Sequence, residues 1–285
     1  MFVEFEGNKK SSSNPGPRKK QLRILVMGSS DLGSRNTQQD SSLASDARFY
    51  SERGILAVLS DGMGGMRDGD RFSGIAVEEM VRYFSEGTPQ EDICTELLGA
   101  YASAREKAFA SCKGDEPDGG ATVVAVLVRK NMCAFLSVGD SRIYLMRGGE
   151  LIQLNREQTL GAVLDESAAL GYIPEEEARE NLRRASITNH LCETSVKLCD
   201  RSITPFKLRS GDKLALMSDG VFGTLSSEEI TRCLRKSGAQ GVDDIIDAIR
   251  LKDKPRQDNC SVLVLAFEDT QNSKAGRDHK HGSST

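Results

Sequence analysis

The chain has 285 residues, of which 38% are hydrophobic and 28% are charged, a composition typical of a soluble globular protein. A formal net charge of −4, from 38 basic and 42 acidic residues, argues against a nucleic-acid-binding protein with a broad basic face. No apolar run approaches the ~20 residues that span a membrane. The N-terminus also lacks the basic and then apolar layout of a signal peptide, so a cytoplasmic protein without a membrane partner is expected.

Cysteine and histidine usage excludes several enzyme classes. The seven cysteines form an odd set without paired short spacings, so reduced thiols are expected rather than disulfides or a zinc site. Cys133 and Cys260 lie in apolar strands and are expected to be packing residues. Of the three histidines, only His190 lies outside a polar tail, and it is expected to be structural or exposed. Ser-His-Asp and Cys-His hydrolases are therefore disfavoured, and an enzyme of this composition works mainly with carboxylates.

The ends of the chain differ in character from its middle. Residues 1–20 contain a Ser-, Asn-, Pro- and Gly-rich stretch followed by three basic residues, which predicts a disordered N-terminal lead. Residues 269–285 are also polar and are expected to form a C-terminal tail. Because no linker or internal repeat interrupts residues 21–268, this stretch is expected to fold as one domain.

Short apolar runs predict the strands of this domain. Each run is rich in Val, Ile, Leu or Phe, and several of them end at Gly or Asp. The predicted strands are Leu22–Met27, Gly54–Ser60, Thr122–Val128, Met132–Val138, Ile143–Met146, Lys213–Met217 and Ser261–Phe267. Arg129, Lys130 and Asn131 separate the third and fourth of these strands, which predicts a hairpin.

Helices are predicted in separate blocks of the chain. Apolar residues at spacings of three and four indicate one helix entered after Gly69 and a second from Ile93 to Ala108. Two more are predicted near the C-terminus, from the spacing of Ile230, Leu234, Ile245, Ile246 and Ile249. Hairpins combined with helices in separate blocks favour an antiparallel α+β fold over alternating parallel βαβ units.

Five aspartates lie at strand ends, or beside them, next to small residues. They are Asp40, Asp61, Asp140, Asp219 and Asp258. Placement at a strand end projects a short side chain from a rigid scaffold, which suits a metal site. Converging aspartates repel one another unless cations neutralise them, and hard oxygen ligands favour Mg or Mn over zinc. A turn explains any single Asp-Gly, but the set as a whole points to a metal-carboxylate hydrolase.

Short motifs surround these aspartates in a fixed order. They are Arg35-x-x-Gln38-Gln39-Asp40, Ser60-Asp61-Gly62-Met63-Gly64-Gly65, Gly119-Gly120-Ala121-Thr122, Val138-Gly139-Asp140-Ser141-Arg142-Ile143-Tyr144, Ser218-Asp219-Gly220 and Asp258-Asn259. Through these motifs the region from Leu22 to Phe267 resembles the metal-dependent protein phosphatase family, the protein phosphatase 2C type, particularly its compact bacterial members. A single motif is weak, whereas the whole set in order is a strong signal.

The resemblance implies both a fold and an activity. The implied fold is a central sandwich of two antiparallel β-sheets flanked by α-helices, an αββα four-layer arrangement, with the metal centre at one edge. The implied activity is that of a serine/threonine phosphoprotein phosphatase, in which a water or hydroxide bridging two Mn or Mg ions attacks a phosphomonoester. Phosphorylated Ser/Thr proteins are the implied substrates, a Ser/Thr protein kinase is the implied opposing enzyme, and a monomer is expected.

The resemblance also assigns metal ligands. Asp61 would bridge the two ions, and the carbonyl of Gly62 would complete one coordination shell. Asp219 and Asp258 would each ligate an ion, and Asp40 would contact the centre directly or through water. A weaker third metal position is implied as well, held by Asp140 with help from Asp219.

The implied catalytic residues are Arg35, Asp61 and Asp219. Arg35 would hold the substrate phosphate, which suits the planar, bidentate geometry of a guanidinium group. Asn259 would orient its neighbours. Removal of Asp61 is expected to abolish turnover and to leave the fold intact.

Several positions depart from the pattern of the family. Met63 stands where many eukaryotic members carry a histidine proposed as general acid, so the proton for the leaving oxygen comes from a metal-bound water or another group. Residues 221–223, which end at Gly223, include no acidic residue, and this weakens the prediction of a third metal. Glu157-Gln158-Thr159 and Leu191-Cys192 also differ from the usual segments. Residues 159–191 resemble the flap of the family, where Pro174 and the acidic residues after it start a helix.

Other functions use the same residues differently. The main alternative is a catalytically inactive, phosphatase-like module that binds a partner, although such a module has no need to keep mutually repelling carboxylates. A dedicated phosphatase of one small anti-anti-sigma-like protein shares the chemistry and differs only in substrate. A two-metal phosphodiesterase is the third alternative.

Overall fold

The computed structural model describes residues 2–5, 22–63, 68–112, 119–193 and 199–269. Within these ranges the strands, numbered in chain order, are β1 (Phe2–Phe5), β2 (Leu22–Asp31), β3 (Asp40–Ala44), β4 (Ile55–Asp61), β5 (Val123–Arg129), β6 (Met132–Val138), β7 (Arg142–Arg147), β8 (Glu150–Gln153), β9 (Asp200–Arg201), β10 (Phe206–Lys207), β11 (Lys213–Met217) and β12 (Cys260–Asp269). The α-helices are α1 (Gly69–Glu86), α2 (Ile93–Ala110), α3 (Leu160–Ala169), α4 (Glu175–Glu180), α5 (Asp219–Phe222), α6 (Ser227–Leu234) and α7 (Gln240–Leu251). None of these helices has both the length and the apolar character needed to cross a membrane.

Two antiparallel sheets form the centre of the molecule. One has the strand order β1-β2-β12-β11-β7-β8, and the other has the order β10-β6-β5-β4-β3, with β9 also paired to β6. A buried apolar cluster between the sheets combines side chains of β2, β7, β11 and β12 with side chains of β4 and β5. The predicted sandwich of two antiparallel sheets is confirmed.

Helices cover the outer face of each sheet. A second buried cluster joins α1 and α2 to the sheet that contains β4, β5 and β6. A third joins α5, α6 and α7 to the sheet that contains β2, β11 and β12. Two helical layers therefore enclose two sheets, which is the αββα order predicted from the sequence.

Burial on both faces explains why the central strands have continuous apolar runs. Along β4, Ile55, Ala57 and Leu59 point into the cluster between the sheets. Leu56 and Val58 point to the opposite face and pack beneath α1 and α2. Because successive side chains of a strand point to opposite faces, the part of β4 between the two apolar layers is apolar at every position, and polar residues appear only at its end.

The predicted hairpin is confirmed, with a shorter turn. Arg129 belongs to β5 and pairs with Met132 of β6, so only Lys130 and Asn131 form the turn. Both turn residues have positive φ, 50° and 65°. Such a two-residue turn matches the right-handed twist of the strands.

The sequence prediction missed the edge strands. β3 and β8 are absent from the predicted set because they contain polar residues and lie at the ends of their sheets. The expected disordered lead over residues 1–20 needs a correction at Phe2–Phe5, which pairs with β2 as an antiparallel strand. The Phe-Val-Glu-Phe sequence of that segment favours a strand. The remainder of the lead, and the tail beyond residue 269, lie outside the described residues.

Candidate metal centre

Asp40 and Asp61 are held side by side by the pairing of two strands. Asp40 begins β3, Asp61 ends β4, and the two are register partners. Asp40 is 7% exposed, and one of its carboxylate oxygens accepts a hydrogen bond from Ser218 Oγ at 2.7 Å. Its other oxygen, Oδ1, is buried and has no hydrogen-bond partner among the described residues. Asp40 thus presents a free ligand atom inside the protein.

The loops that carry Asp219 and Asp258 are fixed against each other. Asp219 begins the one-turn helix α5, and Asp258 lies just before β12. Gly220 permits the close approach, because a Cβ atom at this position would lie 2.0 Å from the carbonyl oxygen of Asn259. Gln257 Nε2 donates to the Gly220 carbonyl oxygen at 3.0 Å. These contacts place both aspartates at the same end of the sheet.

Asp140 reaches the site from the connection between the two sheets. It follows Gly139, whose φ of 97° turns the chain sharply between β6 and β7. The hydroxyl groups of Thr122 and Ser141 are 2.7 Å apart, and Asp61 N donates to Thr122 Oγ1 at 3.0 Å. The turn that carries Asp140 is therefore tied to the end of β4.

The charges of four predicted aspartates act on the fifth, Asp61. Burial raises the pKa of Asp61 well above its ordinary value, and the charges of Asp40, Asp219, Asp140 and Asp258 raise it further. Burial likewise raises the pKa of Asp40 to about 6 and that of Asp140 to about 7, with Asp219 adding to both shifts. The pKa of Asp219 is raised by burial and by Asp258. Buried carboxylates of like charge favour either protons or a shared cation.

The donor set fits hard divalent cations in its chemistry. All five side chains are carboxylates, and Mg and Mn prefer oxygen ligands. Among the described residues, no group of three or more Asp, Glu, His or Cys side chains surrounds one point as a ready metal-binding set. The fit therefore rests on the raised pKa values of Asp40, Asp61, Asp140 and Asp219 and on the unpartnered oxygen of Asp40. Buried like charges need a counter-ion, because each is costly without one.

Gly62 occupies a crowded position beside Asp61. Its amide donates to the Gln39 carbonyl oxygen at 3.0 Å, and Gly62 is a bridge partner of Ala121. A Cβ atom at Gly62 would lie 2.3 Å from the carbonyl oxygen of Gly69. Only glycine fits here. Gly64 and Gly65 of the same motif lie outside the described residues.

Arg35 lies at the entrance of the site. Its Nη2 donates to Asp258 Oδ2 at 2.7 Å, and its side chain is 45% exposed. Asn259 Oδ1 accepts a hydrogen bond from Gln39 N at 2.9 Å, which fastens the Arg35–Asp40 segment to the Asp258 loop. A guanidinium group in this position is reachable from solvent and adjacent to the carboxylates.

A groove leads away from the carboxylates under the predicted flap. It has a volume of about 1190 Å³, begins at Asp140 and Asp219 and continues along the first half of α3. Arg142 lies in it, stacked on the ring of Phe222 at 3.8 Å and bonded to Glu157. After Gly220, where the sequence lacks an acidic residue, the chain thus presents the ring of Phe222, and the guanidinium of Arg142 lies over it.

Two features near the site were not identified from sequence spacing. Ser218 joins Asp40 to the second sheet, because its Oγ also accepts from Ser261 N at 2.9 Å. His190, expected to be structural or exposed, is partly buried beside Met63 and Gly120. No local pattern predicts either contact, because the partners are far apart in the chain.

The cysteines are packing residues. Cys133 and Cys260 are fully buried, and burial raises the pKa of both thiols. All seven cysteines are free. The prediction that these two cysteines are packing residues is confirmed by their burial.

A sequence model of the protein phosphatase 2C family matches residues 27–246. The serine/threonine protein phosphatase PstP of Mycobacterium tuberculosis is 31% identical over 217 residues, which cover 75% of this chain and 39% of that protein. The chain thus spans about two fifths of that relative. The serine/threonine phosphatase stp of Listeria monocytogenes is 27% identical over 228 residues, or 78% of this chain and 87% of that protein.

Solved structures share the fold. The catalytic domain of the serine/threonine protein phosphatase PstP, solved in complex with two manganese ions, superposes with a TM-score of 0.69 at 28% identity. The match covers 87% of this chain and all of that one. The serine/threonine phosphatase of Streptococcus agalactiae superposes with a TM-score of 0.71 at 26% identity, over 85% of this chain and 99% of that one.

Proposed function

The chain belongs to the protein phosphatase 2C family, and from that premise we propose that it is a Mn- or Mg-dependent serine/threonine phosphoprotein phosphatase. The observation that carries the proposal is the pKa of Asp61, which is raised by its burial and by the charges of Asp40, Asp219, Asp140 and Asp258. Relatives named serine/threonine phosphatases, and a related catalytic domain with two manganese ions, support it.

The proposed ligands come from both sheets. Asp61, on which the charges of the other four carboxylates act, would be the ligand shared by the two ions, and the Gly62 carbonyl would complete one shell. Asp219 and Asp258 would ligate from the opposite sheet, and Asp40 would offer its unpartnered Oδ1. When bound, two such cations neutralise the carboxylates, activate a water and stabilise the charge that develops on phosphorus. Asp140 is proposed for a weaker third ion.

Arg35 is proposed to bind the phosphate of the substrate. Its guanidinium has five donors in a planar fork, and the bond to Asp258 leaves part of the fork free. The groove beyond Asp140 and Asp219 offers room for the peptide on either side of the phosphorylated residue. The proposed substrates are phosphorylated Ser/Thr proteins in the cytoplasm, where a monomeric enzyme would oppose a Ser/Thr protein kinase.

Hydrolysis of a phosphothreonine peptide tests the proposal. We expect phosphate release with Mn or Mg, loss of release after EDTA, and loss in Asp61→Ala. Release that persists in EDTA would contradict a metal-dependent enzyme. A folded protein that releases no phosphate with either metal would favour the inactive binding module.

A second substrate separates the remaining alternatives. Bis(p-nitrophenyl) phosphate is a diester, and we expect it to be hydrolysed far more slowly than the phosphothreonine peptide. Preferential hydrolysis of the diester would assign the site to a phosphodiesterase.

A further inference from the structure

His190 lies beside Met63, the residue that follows Gly62. A Cβ atom on Gly120 would lie 2.5 Å from His190 Nδ1 and 3.0 Å from Met63 Sδ, so the imidazole and the thioether lie over the same glycine. His190 is the one histidine in the part of the chain that the structure describes, and it is partly exposed. Its ring nitrogen Nδ1 is buried against these neighbours, while the residue as a whole is partly exposed.

Backbone hydrogen bonds place His190 two chain segments away from the metal centre. Met63 N donates to Gly120 O at 3.1 Å, and Leu191 N donates to Ala121 O at 2.9 Å. Gly62 is the bridge partner of Ala121. Since adjacent extended segments lie about 4.8 Å apart, the backbone of His190 is roughly two such spacings from Gly62. An imidazole side chain together with one water covers that distance.

The proposed reaction leaves one proton unassigned. Cleavage of a phosphoserine or phosphothreonine ester expels an alkoxide, which is a poor leaving group unless an acid protonates it. Met63 has no proton to donate, and the guanidinium of Arg35 does not release one. The five aspartates are assigned to cations, so the remaining candidates are a metal-bound water and another side chain. Imidazole is the side chain that exchanges a proton near neutral pH.

We propose that His190, directly or through one water, donates the proton that the leaving serine or threonine oxygen requires. As the P–O ester bond breaks, its electron pair passes to the ester oxygen, which takes the proton from the imidazolium. The attacking water supplies the new P–O bond and loses a proton to solvent, and the imidazole takes up a proton from solvent to become imidazolium again. The inference rests on the proposed phosphatase function and extends it to the identity of the general acid.

Substrates with different leaving groups test the inference. p-Nitrophenolate leaves without protonation, whereas threonine does not. With Mn, we expect His190→Gln to lower kcat for a phosphothreonine peptide by about 100-fold and kcat for p-nitrophenyl phosphate by less than about threefold. Equal loss on both substrates, or no loss on the peptide, would overturn the proposal. Wild-type protein inactive on both substrates would instead refute the phosphatase function.

A neighbouring variant controls for packing. Met63→Leu changes the side chain that lies beside the imidazole over Gly120, but it removes no proton donor. Its effects on the two substrates should therefore be equal. The same selective loss in Met63→Leu would assign the effect to packing and overturn the proposal. Thermal melting and calorimetric Mn binding of His190→Gln should match wild type. His190→Asn gives a second test with a smaller amide side chain.

Discussion

At the scale of single residues, burial distinguishes Asp40 from an ordinary turn aspartate. The side chain of Asp258 is 39% exposed, whereas Asp40 is 7% exposed and sits under Ser218. Asp61 has its pKa raised by burial and by four other carboxylates. A carboxylate in such surroundings destabilises the metal-free fold, so its presence indicates a function.

Asp61→Asn should separate activity from stability. We expect phosphatase activity below about 1% of wild type, because the bridging charge is lost. The EDTA-treated variant should melt at or above the wild-type temperature, since a buried charge has been removed. Activity assays and thermal melting check both expectations.

Asp247→Asn is the matched control for this variant. Asp247 lies on α7 with a side chain that is 65% exposed, so the same chemical change should leave activity and melting near wild type. Near-normal activity in Asp61→Asn would show that the metal assignment is wrong.

Arg35→Lys should mainly weaken substrate binding. Lysine keeps the charge but loses the bidentate fork, and a charge-assisted hydrogen bond contributes about 1.5–3 kcal/mol, so KM should rise about tenfold or more. kcat should change less, which steady-state kinetics on a phosphothreonine peptide would show. Arg232→Lys, at an exposed position on α6, should leave KM unchanged. A loss confined to kcat would contradict the phosphate-binding role.

At the scale of elements, buried ion pairs fix α2 against its neighbours. Glu96 on α2 is 1% exposed and binds both Arg53, before β4, and Arg129, at the end of β5. Glu79 on α1 binds Lys107 of α2, and hydrogen bonds led by that of Arg82 lower its pKa to about 2. The two helices are therefore held to each other and to the sheet by charge as well as by apolar packing.

Glu96→Gln should destabilise the fold strongly. Loss of one partner leaves two buried guanidinium groups uncompensated, which costs about 3–5 kcal/mol of unfolding free energy. Urea denaturation would measure the difference. Glu86→Gln, whose side chain is 68% exposed in an i,i+4 pair with Arg82, should change the unfolding free energy by less than about 1 kcal/mol. Equal effects of the two variants would contradict the importance of burial.

At the scale of the whole molecule, the candidate centre spans both sheets. Asp40 and Asp61 belong to one sheet, Asp219 and Asp258 border strands of the other, and Asp140 lies on the connection between the sheets. Cations bound at this edge would therefore hold the two halves of the sandwich together. Metal binding and global stability should be coupled.

Stability of the EDTA-treated protein should fall as pH rises from 5 to 8. The folded-state pKa values of Asp40, about 6, and Asp140, about 7, lie above the ordinary value of 3.8. A raised carboxyl pKa favours the folded state at low pH, and this contribution is lost as pH passes through those values. Glu79, whose pKa is lowered to about 2, stays ionised throughout this range. Thermal melting at both pH values tests the direction.

Mn should reverse this trend. At pH 8 the carboxylates are free to bind, so Mn at 100 times its Kd should add about 2.7 kcal/mol to the unfolding free energy. The gain should be smaller at pH 5, because protons compete for the same oxygens. Melting curves with and without Mn would show the difference. A metal-free protein that is more stable at pH 8 would contradict the raised pKa values.

Local sequence was enough to predict most of the sandwich. Central strands such as β4 have a continuous apolar run, Ile55 to Leu59, because two cores cover them, and apolar residues of amphipathic helices such as α2 recur every three to four residues. Edge strands such as β3 and β8 have no such pattern, because only tertiary pairing makes them strands. The division into one domain with two polar ends, and the ligand roles of the aspartates, stay predictions.

The sequence alone determined the fold class and predicted which residue types make up the candidate site, since short motifs place aspartates at strand ends. The tertiary structure decided which side chains touch. Ser218 bonds to Asp40 across 178 positions of sequence, and His190 lies beside Met63. The physical reason is that periodicity reports local burial, whereas contacts between distant segments depend on how the two sheets pack.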